Sequence, residues 1–445
     1  MNDHANTTVK SIFPARWTRI LCILAGLYAI PVALYISIEA EQAAGLRDFH
    51  TFWYAGHFIR QGEDPYGAYF ASEQPQLPVK YLDGVTVSNY PVAQGDLSII
   101  PSNTPTMLLL LTPFSYFSWE VAKRMFLVVN LILMLSTGWL VVRRLPFGKV
   151  KLAPLDELLL FFVFFDLSAT RKAVENGQTT LLVFVLILIA VLYAKQSWQV
   201  AGLALGLALS KYSFAPAPVL FFLYKTRFRV LLVAALIQAV GVLALAAIVR
   251  TSPLLIAMEN TRMFFLFFNV FSEGGVHLAK QFQALTTNRI LMHIPVLVMT
   301  LLVILPLFFW LRRRNWASSY TKAVIDFHLL TILFLWTLLT GYHSSYDTLI
   351  VLLFLVLVFK GLAYPNIWRL NRREKTMLMV FLAAMPLVLI LPARLVDKQF
   401  PHYYGTIYSA ITSISLIIML IFSLFLLLRY LQSTLQETKP ENGFQ

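Results

Sequence analysis

Apolar runs of the length needed to cross a bilayer, about 20 residues each, recur along this chain. They fall near 19–38, 125–142, 157–174, 179–194, 229–249, 290–311, 324–340, 348–362, 376–392 and 406–429. The stretch 199–224 reads as one helix, a polar break at Ser210-Lys211, and a second helix carrying Pro216 and Pro218. A shorter apolar piece at 104–117 contains Pro105 and Pro113, so it reads as an incomplete crossing. The pattern predicts an all-α fold, a polytopic membrane helix bundle of about 10–13 segments. Residues 19–430 form its single membrane domain, with 1–18 as a cytoplasmic N-terminus and 431–445 as a short cytoplasmic tail. The 39–103 stretch is expected to be a large first outer loop carrying interfacial helices. No internal repeat of fixed period is visible.

Composition agrees with the pattern, since 58% of residues are hydrophobic and only 13% are charged, a balance suited to apolar solvent. A formal net charge of +14 would in a soluble protein suggest nucleic acid as partner. Here the basic residues cluster between apolar runs, at Arg143-Arg144 to Lys151, Lys225 to Arg229, Arg312-Arg313-Arg314 and Arg372-Arg373-Glu374-Lys375. That is the bias of cytoplasmic loops, so the partner is the lipid bilayer and not nucleic acid. Lys10, Arg16 and Arg19 precede the first run without a small-residue cleavage pattern, which predicts that the first helix stays as an anchor. The single cysteine, Cys22, offers neither an intrachain disulfide nor a cysteine metal site.

With that orientation, the unusual polar residues gather on the outer side. Asp48 opens an aromatic stretch, Arg47 to Tyr54, that continues through Gly62 to Pro65-Tyr66. The spacing of 49, 52, 53, 58 and 59 suits an amphipathic helix at the interface, with Asp48 either its cap or a base facing substrate. Lys211 interrupts an apolar run, where a cation is costly enough to be paired, to snorkel, or to mark a substrate path. Arg171-Lys172 and Asn176-Gly177-Gln178 lie between two runs too close for a large loop. They suit a phosphate and sugar hydroxyls, or a capped turn. Tyr342, His343 and Asp347 sit where a late helix ends, with Asp347 readable as the cap of the next span. No metal-ligand spacing, Walker loop or dinucleotide glycine fingerprint occurs, so no cofactor and no metal are expected.

These motifs together resemble glycosyltransferase family 87, polytopic mannosyltransferases. The resemblance rests on Asp48-Phe49 with Tyr54-Ala55, on Gly62-x-x-Pro65-Tyr66, on Asn176-Gly177-Gln178, on Gly202 to Gly206 leading into Lys211, and on His343. It extends in order from about residue 20 to about residue 430. The chain departs from the family at Thr104-Pro105-Thr106, at Thr180, and at Tyr212 after Lys211. The resemblance implies a GT-C type fold, a polyprenyl-phosphate-sugar donor, a lipid or glycan acceptor, inversion at the anomeric carbon, and an active site on the extracytoplasmic face of the cell membrane. It implies Asp48 as catalytic carboxylate and His343 as an auxiliary group. Beside it, the residues themselves suggest Lys211, Arg171 and Lys172 as phosphate holders, with Tyr54, Tyr66, Asn176, Gln178 and Tyr342 as sugar or lipid contacts. A lipid-linked sugar transporter or flippase would share the hydropathy but is expected to show paired halves, and none is visible. A non-catalytic envelope-assembly protein would leave Asp48 dispensable.

Overall fold

The structure is a computed structural model and describes residue 12 and residues 14–41, 46–71, 103–145, 151–271, 294–313, 319–341, 343, 345–389 and 404–437. Tyr342 and residues 72–102 of the first loop lie outside the described residues. Every regular element among the described residues is helical. A chain surrounded by lipid must satisfy its backbone groups within each segment, and helices do so.

In chain order the helices are α1 (Ala15–Glu41), α2 (Arg47–Gln61), α3 (Pro65–Ala71), α4 (Pro105–Leu111), α5 (Trp119–Trp139), α6 (Pro154–Asp166), α7 (Ser168–Glu175), α8 (Thr180–Tyr193) and α9 (Trp198–Ala208). They continue as α10 (Pro216–Tyr224), α11 (Phe228–Ile248), α12 (Pro253–Phe271), α13 (Ile294–Met299), α14 (Leu305–Arg313), α15 (Ser319–Thr340), α16 (Leu352–Ala363), α17 (Arg372–Leu389) and α18 (Tyr404–Glu437).

Six segments among the described residues are long and apolar enough to cross a membrane: Ala15–Ile38, Trp119–Arg144, Phe228–Ile248, Thr321–Thr340, Tyr346–Ala363 and Ala410–Thr434. The protein is a multi-pass membrane protein. Several of the other apolar runs are broken into shorter helices. The run at 157–174 divides at Leu167 into α6 and α7, and α7 meets α8 at 113°. The run at 199–224 divides at Ser210-Lys211 into α9 and α10, as the polar break predicts. Helix α4 has seven residues and passes into a tight turn at Thr112–Tyr116. At 1.5 Å per residue it rises only about 10 Å, well short of a crossing, as its prolines suggest.

Thr321–Thr340 and Tyr346–Ala363 are 89% and 94% buried and form the centre, whereas Ala15–Ile38 is 17% buried and lies at the perimeter. Helix α10 runs antiparallel to α15, which holds the first of these two central segments. Lys225 after α10 pairs with Asp326 near the start of α15 at 2.7 Å, while Lys211 before α10 pairs with Asp347 beyond the end of α15 at 2.7 Å. The basic cluster at 225–229 and the polar group around Lys211 therefore sit at opposite ends of the bundle.

Two close helix approaches place the chain around Lys211. A Cβ on Gly202 or Gly206 of α9 would lie 2.5 Å from the Val233 Cβ or 2.7 Å from the Ile237 Cβ of α11. Such small residues let membrane helices pack backbone to backbone. Gly206→Val is expected to push α9 off α11, destabilising the protein by about 1–3 kcal/mol and displacing Lys211 at the end of α9. Thermal unfolding in detergent checks it, and an unchanged midpoint would contradict this packing.

Candidate active site

Helix α2 is seated from its first residue. Leu46 stands just before it in the left-handed region at φ 53°, and its N–H donates to the Glu175 carbonyl at 3.0 Å. The Asp48 N–H donates to the Asn176 carbonyl at 2.9 Å. Aromatic residues hold the helix down, with Phe49 stacked on Phe126 at 3.9 Å between ring centres and set edge-on to Phe114 at 5.3 Å. The aromatic positions that suggested a surface-lying helix thus anchor α2 in the protein, and Phe49 to Gly56 are all buried.

The partner of this helix start is the bend between α7 and α8. Gly177 turns the chain at φ 66°, and a Cβ there would stand 2.7 Å from the Phe49 Cβ. Only glycine meets both the conformation and the approach. Gln178 follows directly, and its Nε2 donates to Asp48 Oδ2. Asp48 is therefore not the helix cap that the sequence allows as an alternative, since the cap position is Leu46 and the carboxylate is turned to Gln178.

Gln178 Oε1 faces the Lys211 ammonium at 3.4 Å, and Lys211 also donates to Thr180 Oγ1 at 2.5 Å and Asp347 Oδ1 at 2.7 Å. Thr180 in turn donates to Asp347 Oδ1 at 2.8 Å. His343 closes the line, its Nδ1 3.4 Å from Asp347 Oδ2 and its Nε2 3.0 Å from the Thr337 carbonyl. Asp48, Gln178, Lys211, Asp347 and His343 form one continuous polar line drawn from α2, the α7–α8 bend, the α9–α10 break and the end of α15. All but Asp347 were expected at the site; the signal for Asp347 was its i, i+4 spacing from His343 and the need of Lys211 for a counter-charge.

Burial and charge act on Asp48 in opposite directions. It is half-buried, and desolvation pushes its carboxyl above the usual carboxylate range, with the Asp347 charge adding to the rise. The Gln178 hydrogen bond and the charges of Lys211 and Arg47 pull the other way. His343 is fully buried with both ring nitrogens facing oxygen atoms, so its geometry suits holding Asp347.

The remaining expected residues are placed differently. Asn176 contributes its backbone carbonyl to Asp48. Arg171 points its guanidinium to the Tyr28 hydroxyl of α1 at 3.3 Å, and Lys172 is half-buried on the same helix. Tyr54 is buried, stacked on His50 at 5.9 Å and edge-on to Phe58 at 5.5 Å. Tyr66 joins a second polar group. Its hydroxyl donates to the Asn103 carbonyl at 2.6 Å and accepts from Asn260 Nδ2 at 3.1 Å, while Tyr212 donates to Asn260 Oδ1 at 2.6 Å. Burial raises the Tyr66 phenol well above its ordinary value, so it stays protonated as a donor. Asn103 and Asn260 carry no distinctive sequence signal, being single amides in unrelated stretches. Among the described residues no three His, Cys, Asp or Glu side chains gather as metal ligands.

The model of glycosyltransferase family 87 matches residues 102–392, well over half of the chain. The chain belongs to glycosyltransferase family 87. Comparison with curated proteins and with solved structures gives no match. The protein is a membrane glycosyltransferase, and four members of the polar line, Gln178, Lys211, His343 and Asp347, fall inside the matched region. Asp48 precedes the matched region and is joined to it by its N–H on the Asn176 carbonyl and by the hydrogen bond from Gln178.

Proposed function

We propose that this glycosyltransferase moves a hexose, mannose by the family resemblance, from a polyprenyl-phosphate donor to a hydroxyl of a lipid or glycan acceptor. The observation that carries the reading is the half-buried Asp48 carboxylate, raised in basicity by its surroundings and joined through one amide to a partly buried ammonium. In the proposed step Asp48 takes the acceptor's hydroxyl proton as that oxygen bonds to the anomeric carbon. The carbon–oxygen bond to the donor phosphate breaks with its electron pair leaving on the phosphate, and the configuration inverts. A phosphate leaving group needs little acid help, so the protein's work is to orient the acceptor and stabilise the departing charge. Lys211 supplies positive charge for this. His343 acts through Asp347 and not on the acceptor.

The extracytoplasmic placement is supported by the separation of Lys211 from the basic cluster at 225–229 along α10. A lipid-linked donor is supported by the position of the polar line at the ends of apolar helices. The test is purified protein in proteoliposomes given either polyprenyl-phosphate [14C]mannose or GDP-[14C]mannose with a lipid extract as acceptor. Label is expected to move from the polyprenyl donor alone; transfer only from the nucleotide sugar would overturn the donor class.

A further inference from the structure

We propose that Gln178 is a positioning residue that locks the Asp48 carboxylate in one orientation and ties it to Lys211. The inference rests on the reading of Asp48 as the base. A carboxamide has a donating and an accepting side. Here the donating Nε2 meets an acceptor-only carboxylate, and the accepting Oε1 faces a donor-only ammonium. Turning the amide over would set oxygen against carboxylate and N–H against ammonium, so Lys211 dictates which way the amide points. The amide then engages Oδ2 of Asp48 and leaves Oδ1 to receive a proton.

Every part of this arrangement is fixed from behind. Lys211 is held by Thr180 and Asp347, Asp347 by His343, and Gln178 by the Gly177 turn against Phe49. Gln178 is itself buried, with 8% of its surface exposed, which makes it a poor hand for a sugar and a good strut. The charged groups acting on Asp48 are Lys211 from the α9–α10 break, Arg47 from α2 itself and Asp347 from the turn before α16. On α5, Trp119 and Phe126 stack on Phe49 of α2, and the buried Lys123 pairs with Glu120 at 3.0 Å.

Removing a hydrogen bond that favours the ionised carboxylate makes it harder to ionise, and placing a second carboxylate there does so more strongly. The transfer rate, followed against pH for the wild type, Gln178→Leu and the nearly isosteric Gln178→Glu, reads this directly. The limb where activity falls at low pH is expected to move upward in both variants, by roughly one pH unit or more for Gln178→Glu and by less for Gln178→Leu. A rate lowered evenly at all pH values, with the limb where the wild type has it, would overturn the positioning role. Asp48→Asn measured in parallel separates the two ideas. If it retains wild-type transfer, the base assignment fails; if it is inactive while the Gln178 variants keep the wild-type limb, only the role of Gln178 fails.

Discussion

Lys211→Met is expected to destabilise the folded protein by about 3–5 kcal/mol, the cost of leaving one member of a buried ion pair alone, and to abolish sugar transfer with it. The Lys211 and Asp347 side chains are 12% and 3% exposed and lie 2.7 Å apart. A pair so placed has lost most of its hydration, and removal of the ammonium leaves the carboxylate, among the described residues, with Thr180 and His343 for partners. Asp347→Leu should destabilise for the mirror-image reason. The double variant Lys211→Met/Asp347→Leu is expected to recover most of the lost stability, because a well-packed apolar pair can replace a buried ion pair at little cost. It is not expected to recover transfer, since the positive charge beside Asp48 is gone. Thermal unfolding in detergent together with the transfer assay gives the full cycle. Single losses that simply add in the double variant would mean that the two residues do not depend on each other.

Much of the architecture was legible because membrane physics constrains it tightly. Where they are described, the apolar runs are helical, the break at Ser210-Lys211 is a break, and the prolines of 104–117 mark a helix too short to cross. What the pattern could not give was direction in space. Nothing in Ser168 to Thr180 states that α7 and α8 meet at 113°; the φ of Gly177 and its contact with Phe49 emerge only when α2 arrives. For the same reason Asp48 read equally well as a cap or a base until its backbone N–H was found on Asn176 and its carboxylate on Gln178.

The site followed the same division. Lys211 and His343 stand out in sequence because charge and imidazole are rare among apolar runs, and both lie on the polar line. Asp347 was visible as an acid at a helix start, where capping is the ordinary explanation, and its pairing across the bundle depends on how α10 and α15 lie together. Tyr66 looked like a substrate contact because it follows the Gly62 turn; in the fold its hydroxyl is spent on Asn103 and Asn260. Arg171 was grouped with Lys211 by loop order alone, and the geometry sends it toward Tyr28 on α1.

The central claim is that Asp48 performs the proton transfer, and Asp48→Asn isolates it. Asparagine keeps the size of the side chain and retains an oxygen for the Gln178 amide, so α2 and the bend should hold their places while the base is lost. General-base catalysis of this kind contributes roughly 10²- to 10⁴-fold, and the loss should appear in kcat. In the wild type, activity should rise with pH through a value above the usual carboxylate range, since burial holds Asp48 protonated longer and only its ionised form accepts a proton. The direct measurement is sugar transfer from polyprenyl-phosphate mannose in proteoliposomes by wild-type and Asp48→Asn protein matched for amount and thermal unfolding. The account predicts a variant that unfolds at the wild-type temperature and has lost at least about a hundredfold in rate; a variant that transfers sugar at the wild-type rate would contradict it.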